Sequence, residues 1–351
     1  MCAIPVLVTS VGGNVGQGIV KALRNATQKF RIVGVDMEPR SAGFSFVDAY
    51  YTVMRSGEMG FFERLSEIHE REKYEAIYVC SHAELDAFGR HKLQLEHQLG
   101  VTIFVNPPHV LAIGRDKLKT ADFLRDHGMA YPLTARADDQ PGIGRLLATH
   151  GFPVVVKPRI GASSMNVFIA QSMDEIDAAR RLFPDMIVQQ YIPDANSEYT
   201  AGTVSDAQGR VRASIILHRD LLQGTTYRTE LFQDERVTRR IIRIVEALKA
   251  VGPCNVQFRL HNDEVYPFEI NPRFSGTSGL RYLYGFNDPE LIFELLHRRK
   301  TVTQPVTKPG VVLRYWDEVY VPDASFSDLR EAKTPWRGRQ IVLTPGEFEK
   351  A

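Results

Sequence analysis

Cysteine is scarce. Cys2, Cys80 and Cys254 are the only three in 351 residues, odd in number and far apart. That pattern excludes a disulfide framework and a C-x-x-C zinc site, and buried thiols in a reducing compartment are expected. Charge of one sign is also lacking: Lys plus Arg number 43 against 42 for Asp plus Glu. Nothing in that balance points to a polyanion, so no nucleic-acid partner is expected. No apolar stretch approaches the ~20 residues that span a bilayer, and the N-terminus has no basic-then-apolar signal. A soluble, cytoplasmic chain with no membrane association follows as the expectation. Internal repeats, low-complexity tracts and a Walker A loop, G-x-x-x-x-G-K-[ST], are absent as well.

What is present fits an ordinary globular protein of two or three units, with 44% apolar and 24% charged residues. Residues 1–107 alternate strand and helix. Val6 to Thr9 is a strand, followed by the turn Gly12-Gly13-Asn14-Val15-Gly16-Gln17-Gly18 and a helix burying Ile19, Val20 and Leu23. Arg31–Asp36, Ala76–Val79 and Val101–Val105 are further strands. This order predicts an α/β fold with an open, Rossmann-like parallel sheet. Asn106-Pro107-Pro108 marks a boundary. A second unit over 108–300 holds a helix from Asp116 to His127 and strands at Val154–Lys157, Val167–Ile169 and Ile187–Ile192. A capping box at Ser172/Glu175 starts one helix, and another carries Val237, Ile241, Ile244 and Leu248, with Gly252 expected to close it. Residues 301–351 contribute a strand at Val311–Leu313 and a polar tail expected to pack on the second unit.

The most informative stretch runs from Asn255 to Asn271. Val256, Phe258 and Leu260 alternate with Asn255, Gln257 and Arg259; Tyr266, Phe268 and Ile270 alternate with Glu269 and Asn271. A three-residue turn at Asn262-Asp263-Glu264 pairs Val256 with Ile270, Phe258 with Phe268 and Leu260 with Tyr266, and sets Gln257 opposite Glu269. One carboxylate beside two amide oxygens suits a hard cation such as Mg²⁺ (or Mn²⁺) that also takes phosphate oxygens. Arg273, just beyond, is placed to neutralise charge on a transferring phosphoryl group. A lone E-x-N reads as a solvated strand face; the downstream Pro272-Arg273 and the opposed Gln257 favour a site. Lys157 ends an apolar strand and enters a small-residue loop, Gly161-Ala162-Ser163-Ser164, whose backbone N–H groups suit phosphates. Lys117 opens a helix near enough to join it.

In order, Asp116-Lys117, Phe152-Pro153-Val154-Val155-Val156-Lys157-Pro158, Gln189-Gln190-Tyr191-Ile192, Glu198, Gln257 and Glu269-Ile270-Asn271-Pro272-Arg273 resemble the ATP-grasp superfamily. Single-copy, carbamoyl-phosphate-synthase-like members are the most similar subgroup. The resemblance covers most of 108–300 and implies an ATP-grasp fold, α+β in its catalytic part, after a Rossmann-like pre-ATP-grasp domain. It implies a lid over about 115–188 and a metal-site subdomain over about 189–300. Lys117, Lys157, Ser163 and Ser164 would contact phosphates, Gln189, Gln190, Tyr191 and Ile192 would form the adenine hinge, and Glu198 would hold the ribose. Glu269 and Asn271 would bind the metal, with Gln257 beside them. The hinge carries Gln189 where many members have glutamate. The implied reaction is ATP-dependent activation of a small-molecule carboxylate to an acyl phosphate, then attack by an amine.

Arg219 and Arg228, flanking the polar and flexible Gln223-Gly224-Thr225-Thr226, and Arg281 are expected as carboxylate-binding arginines for the substrates. Two other readings remain open. Asp36 ends the second strand 20 residues beyond Gly16, as a ribose-binding acid of an NAD(P)-dependent oxidoreductase might be placed, although the glycine turn is not a clean G-x-G-x-x-G. A non-catalytic ATP-binding regulator is the other. A full carbamoyl-phosphate synthase is not expected, since the chain has room for one ATP-grasp unit. A homodimer is the commonest assembly by base rate.

Overall fold

The structure is a computed structural model that describes residues 3–161, 165–193, 198–331 and 339–340. The chain opens with β1 (Ile4–Thr9), α1 (Asn14–Arg24), β2 (Phe30–Asp36), β3 (Ala49–Thr52), α2 (Phe61–Glu72), β4 (Ala76–Tyr78), α3 (His82–Leu99) and β5 (Thr102–Phe104). These strands form one parallel sheet in the order β3-β2-β1-β4-β5. Both faces are covered, which is why the strands read as unbroken apolar runs: Val6 and Val8 enter one core, Leu7 the other. The edge strand β3 went unread in the sequence because its residues are only half-buried.

Next come α4 (Pro108–Arg115), α5 (Lys117–Asp126), β6 (Thr134–Arg136), α6 (Gln140–His150), β7 (Val154–Pro158), β8 (Phe168–Ala170), α7 (Met173–Leu182) and β9 (Met186–Gln190). The four strands make an antiparallel sheet, β6-β9-β7-β8, packed on α6 and α7. Ser172 caps α7 by accepting from Glu175 N, but the Glu175 carboxylate turns back to Gln171 N at 2.8 Å, one residue before the box expected.

The third sheet is built from β10 (Glu198–Ser205), β11 (Val211–Leu222), β12 (Thr225–Phe232), β13 (Gly252–His261), β14 (Glu264–Asn271) and β15 (Val311–Leu313), in the order β14-β13-β10-β11-β12-β15, and a short pair, Val319–Tyr320 with Arg339–Gln340, stands apart from it. One face carries the amphipathic α8 (Glu235–Leu248), whose Val237, Ile241, Ile244 and Leu248 enter a shared core. Lys249, in the left-handed region, caps that helix, and Gly252 instead begins β13. Gln223 and Gly224, both at positive φ, form the tight turn between β11 and β12. Val204, Ala213, Ile215 and Leu217 share one core with Val6, Val8 and Ile19, so side chains of the first and third sheets enter the same core. No helix among the described residues is long and apolar enough to cross a membrane.

The β13–β14 hairpin reaches the expected site by a different route. Its turn is two residues, Asn262 and Asp263, both at positive φ as such hairpins require. That turn pairs Leu260 with Val265, Arg259 with Tyr266 and Phe258 with Pro267, and a bulge then shifts the register so that Gln257 faces Glu269 and Val256 faces Ile270. The expected Phe258–Phe268 and Leu260–Tyr266 pairs do not form. Val265 and Pro267 take the buried face, and the bulge releases Phe268 toward the site.

Candidate active site

A cavity of about 520 Å³ opens where the three sheets meet. It has the size of an ordinary cofactor or substrate site. The four-stranded sheet supplies Val155, Lys157, Ile169 and Gln189; the third sheet supplies Asn255, Gln257, Arg259, Phe268 and Glu269; the parallel sheet supplies its loops.

At the end of the cavity walled by the four-stranded sheet, Lys157 is 6% exposed. Its Nζ donates to Gln189 Oε1 at 2.7 Å and lies 5.5 Å from the Phe268 ring centroid. Gln189 is fixed in turn by donating Nε2–H to Thr134 Oγ1 at 2.9 Å. Burial, with the nearby Lys117 charge, pushes the Lys157 ammonium down to about 7. Lys117 begins α5, where Asp116 caps the helix and is gripped by Arg159 at 2.6 Å. The Lys117 Nζ donates to Gly161 O at 3.0 Å, and burial lowers its pKa. Gln190, Tyr191 and Ile192 line the same wall. Ser163 and Ser164 fall outside the described residues.

Glu198 lines the cavity but is already ion-paired. It accepts from Arg219 Nη2 at 2.8 Å and from Arg259 Nη2 at 3.3 Å. Arg219 also donates to Gln257 Oε1 at 2.7 Å and Thr226 Oγ1 at 3.1 Å. Arg219 therefore holds the cavity wall together. The other two arginines lie elsewhere. Arg228 is exposed on β12 opposite Asp220 at 3.5 Å and does not line the cavity. Arg281 is buried, paired with Asp288 at 2.9 Å and bonded to Asn255. Gly202 makes room for it, since a Cβ there would come within 2.2 Å of the guanidinium carbon. Neither arginine is placed to bind a substrate in this cavity.

At the acidic end, Glu269 Oε1 accepts from Asn271 Nδ2 at 2.9 Å. Asn271 Oδ1 accepts from Arg273 Nη2 at 3.1 Å. Among the described residues no cluster of three His, Cys, Asp or Glu side chains could hold a metal. One carboxylate with neighbouring amides instead fits a hard cation that draws its remaining ligands from phosphates and water. Gln257 lies opposite Glu269, although Arg219 occupies its oxygen.

Of the far wall, the sequence reading singled out the glycine turn but missed Ser81 and His82. Ser10, Gly13, Asn14 and Gly16 of the glycine turn, Ser81 and His82 at the start of α3, and Ser275, Gly276 and Thr277 all face the cavity. A capping box at Ser81/Glu84 stands in the sequence and marks this helix start. The glycine turn itself is closed by Asp36, which is 8% exposed and accepts from Gly12 N at 2.7 Å and Glu38 N at 3.0 Å. Both Asp36 oxygens are engaged by backbone, an arrangement at odds with the ribose-binding acid of a dinucleotide site.

The three sheets closing on a cavity that pairs buried lysines with the Glu269/Asn271 strand define an ATP-grasp architecture. Family models bear this out along the chain: a PylC-like N-terminal domain over residues 6–104, a RimK-like ATP-grasp domain over 114–233, and an ATP-grasp family in the biosynthetic pathway with the Ter operon over 182–319. The chain belongs to the ATP-grasp superfamily. A probable alpha-L-glutamate ligase of Marinomonas is 26% identical over 254 residues, covering 67% of this chain and 80% of that one. A carbamoyl phosphate synthase large chain of Campylobacter jejuni is 24% identical over 239 residues; the match covers 62% of this chain but only 21% of that relative. N5-carboxyaminoimidazole synthetase of Staphylococcus aureus, solved with ADP, superposes with a TM-score of 0.70 at 12% identity, covering 99% of this chain and 96% of that one. An L-amino acid ligase of Bacillus licheniformis gives 0.63 at 16% identity, over 88% and 75%.

Proposed function

We propose that the chain is an ADP-forming ligase that uses Mg-ATP to activate a carboxylate as an acyl phosphate and joins it to an amine. The observation that carries this reading is the convergence of Lys117 and Lys157 with Glu269 on one cavity. Phosphoryl transfer needs positioning and charge neutralisation more than a protein nucleophile, and those residues supply both. The buried Cys80 and Cys254 thiols are pushed well up by desolvation and stay protonated, so neither is a nucleophile. The relatives named for glutamate and amino-acid ligation support the same chemistry.

In this reading Lys117 and Lys157 leave their neutral protein acceptors for the phosphates, and Gln190 to Ile192 border the adenine. Glu269 and Asn271 would hold Mg²⁺ or Mn²⁺, and the cation would supply charge neutralisation for the phosphates. Arg273 has five N–H donors; three contact His82, Phe274 O and Asn271. The others are left for the transferring group. Glu198 would meet the ribose only by sharing its oxygens with Arg219 and Arg259. Residues 1–107, 108–300 and 301–351 act here as pre-ATP-grasp unit, ATP-grasp unit and supporting segment. The test is ADP release against panels of carboxylic acids and amines, with mass detection of the ligated product.

A further inference from the structure

The far wall of the cavity carries a side chain with a fixed chemical role. His82 is the first residue of α3 and lines the cavity. Its Nδ1 is 3.3 Å from Arg273 Nε. A guanidinium can only donate, so Nδ1 must be the bare nitrogen and the ring proton sits on Nε2. Arg273 is itself pinned by Phe274 O at 2.7 Å and Asn271 Oδ1 at 3.1 Å, so the imidazole is oriented by a group that does not swing freely.

Burial and the adjacent Arg273 charge lower the His82 pKa and keep the ring neutral. The other charged groups acting on it are Glu269 and the Arg115–Asp86 pair. Among the described residues no side chain or backbone group accepts from Nε2. The same cavity is also lined by Ser10, Asn14, Ser81, Ser275 and Thr277, small groups that carry no charge to oppose an anion.

We infer that His82 is a specificity-determining residue for the acceptor side of the reaction, donating Nε2–H to a carboxylate oxygen of the substrate to be activated. The inference rests on the ligase reading above. A neutral donor held beside a guanidinium binds an anion without taking the amine's proton. Through Arg273 it also ties the acid's position to the Asn271 end of the site.

The test compares His82→Asn, whose amide stands in for the Nδ1 edge and removes the Nε2 donor, with His82→Gln, which restores a donor near Nε2. Acetate, succinate, L-glutamate and bicarbonate are offered in turn with ATP–Mg²⁺ and a panel of amines. For whichever acid drives ADP release, His82→Asn should raise its KM roughly ten- to a hundredfold, the size of one hydrogen bond to a charged group. The KM for ATP should stay near wild type, and His82→Gln should recover much of the loss. An unchanged acid KM in His82→Asn, or an equal rise for ATP, overturns the proposal. If no acid and amine pair drives ADP release in the wild type, the ligase reading itself fails. The His82 assignment is then decided by long-range ¹H–¹⁵N NMR of the wild-type protein. A neutral Nε2–H tautomer whose Nε2 resonance moves on adding the same acids supports it; an Nδ1–H tautomer, or no movement, overturns it.

Discussion

Lys157 Nζ donates to Gln189 Oε1 at 2.7 Å, so a buried lysine of the cavity is partnered by a neutral amide. Its pKa is pushed down to about 7 by burial and by Lys117, against about 10.4 for a free lysine. The unfolded chain therefore binds more protons between these values. The stability cost of burying Lys157 is full below about pH 7 and fades as pH rises toward 10. Phosphates favour the protonated form, so nucleotide binding above pH 7 should take up a proton, and ATP affinity should fall by up to about tenfold per pH unit. Gln189→Glu should raise the lysine pKa and flatten that dependence. Calorimetry in buffers of different ionisation enthalpy measures the proton uptake directly; equal slopes in both proteins would contradict this account.

Glu269 is the one carboxylate of the proposed cation site, and its Oε1 accepts from Asn271 at 2.9 Å. Glu269→Gln keeps the shape and removes the charge. ADP formation should fall by about a hundredfold or more, on the scale of losing a key electrostatic group, while the thermal midpoint stays near wild type. Turnover close to wild type would remove the metal-site assignment.

Arg219 and Arg228 sit on one hairpin and should behave oppositely. Arg219 contacts Glu198, Gln257 and Thr226, so Arg219→Ala should disorder that wall and raise the KM for ATP by about tenfold or more, the scale of one lost charged hydrogen bond. Arg228 is exposed beside Asp220; Arg228→Ala should leave kinetic constants unchanged and move stability by no more than about 0.5 kcal/mol. Steady-state kinetics on both variants reads this contrast.

Arg281 acts on the fold. Its ion pair with Asp288 is 2% exposed on both sides, and removing one partner of such a pair costs about 3–5 kcal/mol. Gly202→Ala should destabilise by about 1–3 kcal/mol through overpacking against the same guanidinium. Denaturant unfolding should register both losses; a raised KM at unchanged stability in Arg281→Ala would restore a substrate role.

Much of this was legible because local chemistry repeats along the chain. The glycine turn, the strand running into Lys157 and the E-x-N-P-R run each declare themselves by residue type at fixed spacing. What was not legible depended on compensation or on distance. The β13–β14 turn is two residues, and only the bulge at Phe268 restores Gln257 to Glu269; alternation alone cannot place a bulge. Lys249 adopts a left-handed cap without glycine. Arg219, Arg228 and Arg281 look alike as text, yet one lines the cavity, one is solvated and one is buried, because three-dimensional partners decide. His82 and Ser275 are far apart in the sequence and line one cavity only in the folded protein.

ADP release with mass detection of the ligated product tests the central claim most directly. Wild-type protein given ATP, Mg²⁺, a carboxylic acid and an amine should form ADP and ligated product in equal amounts, and both should vanish without Mg²⁺ and in Glu269→Gln. Thermal stabilisation by NADH but not by ATP–Mg²⁺, with no ADP formed from any acid and amine pair, would contradict it.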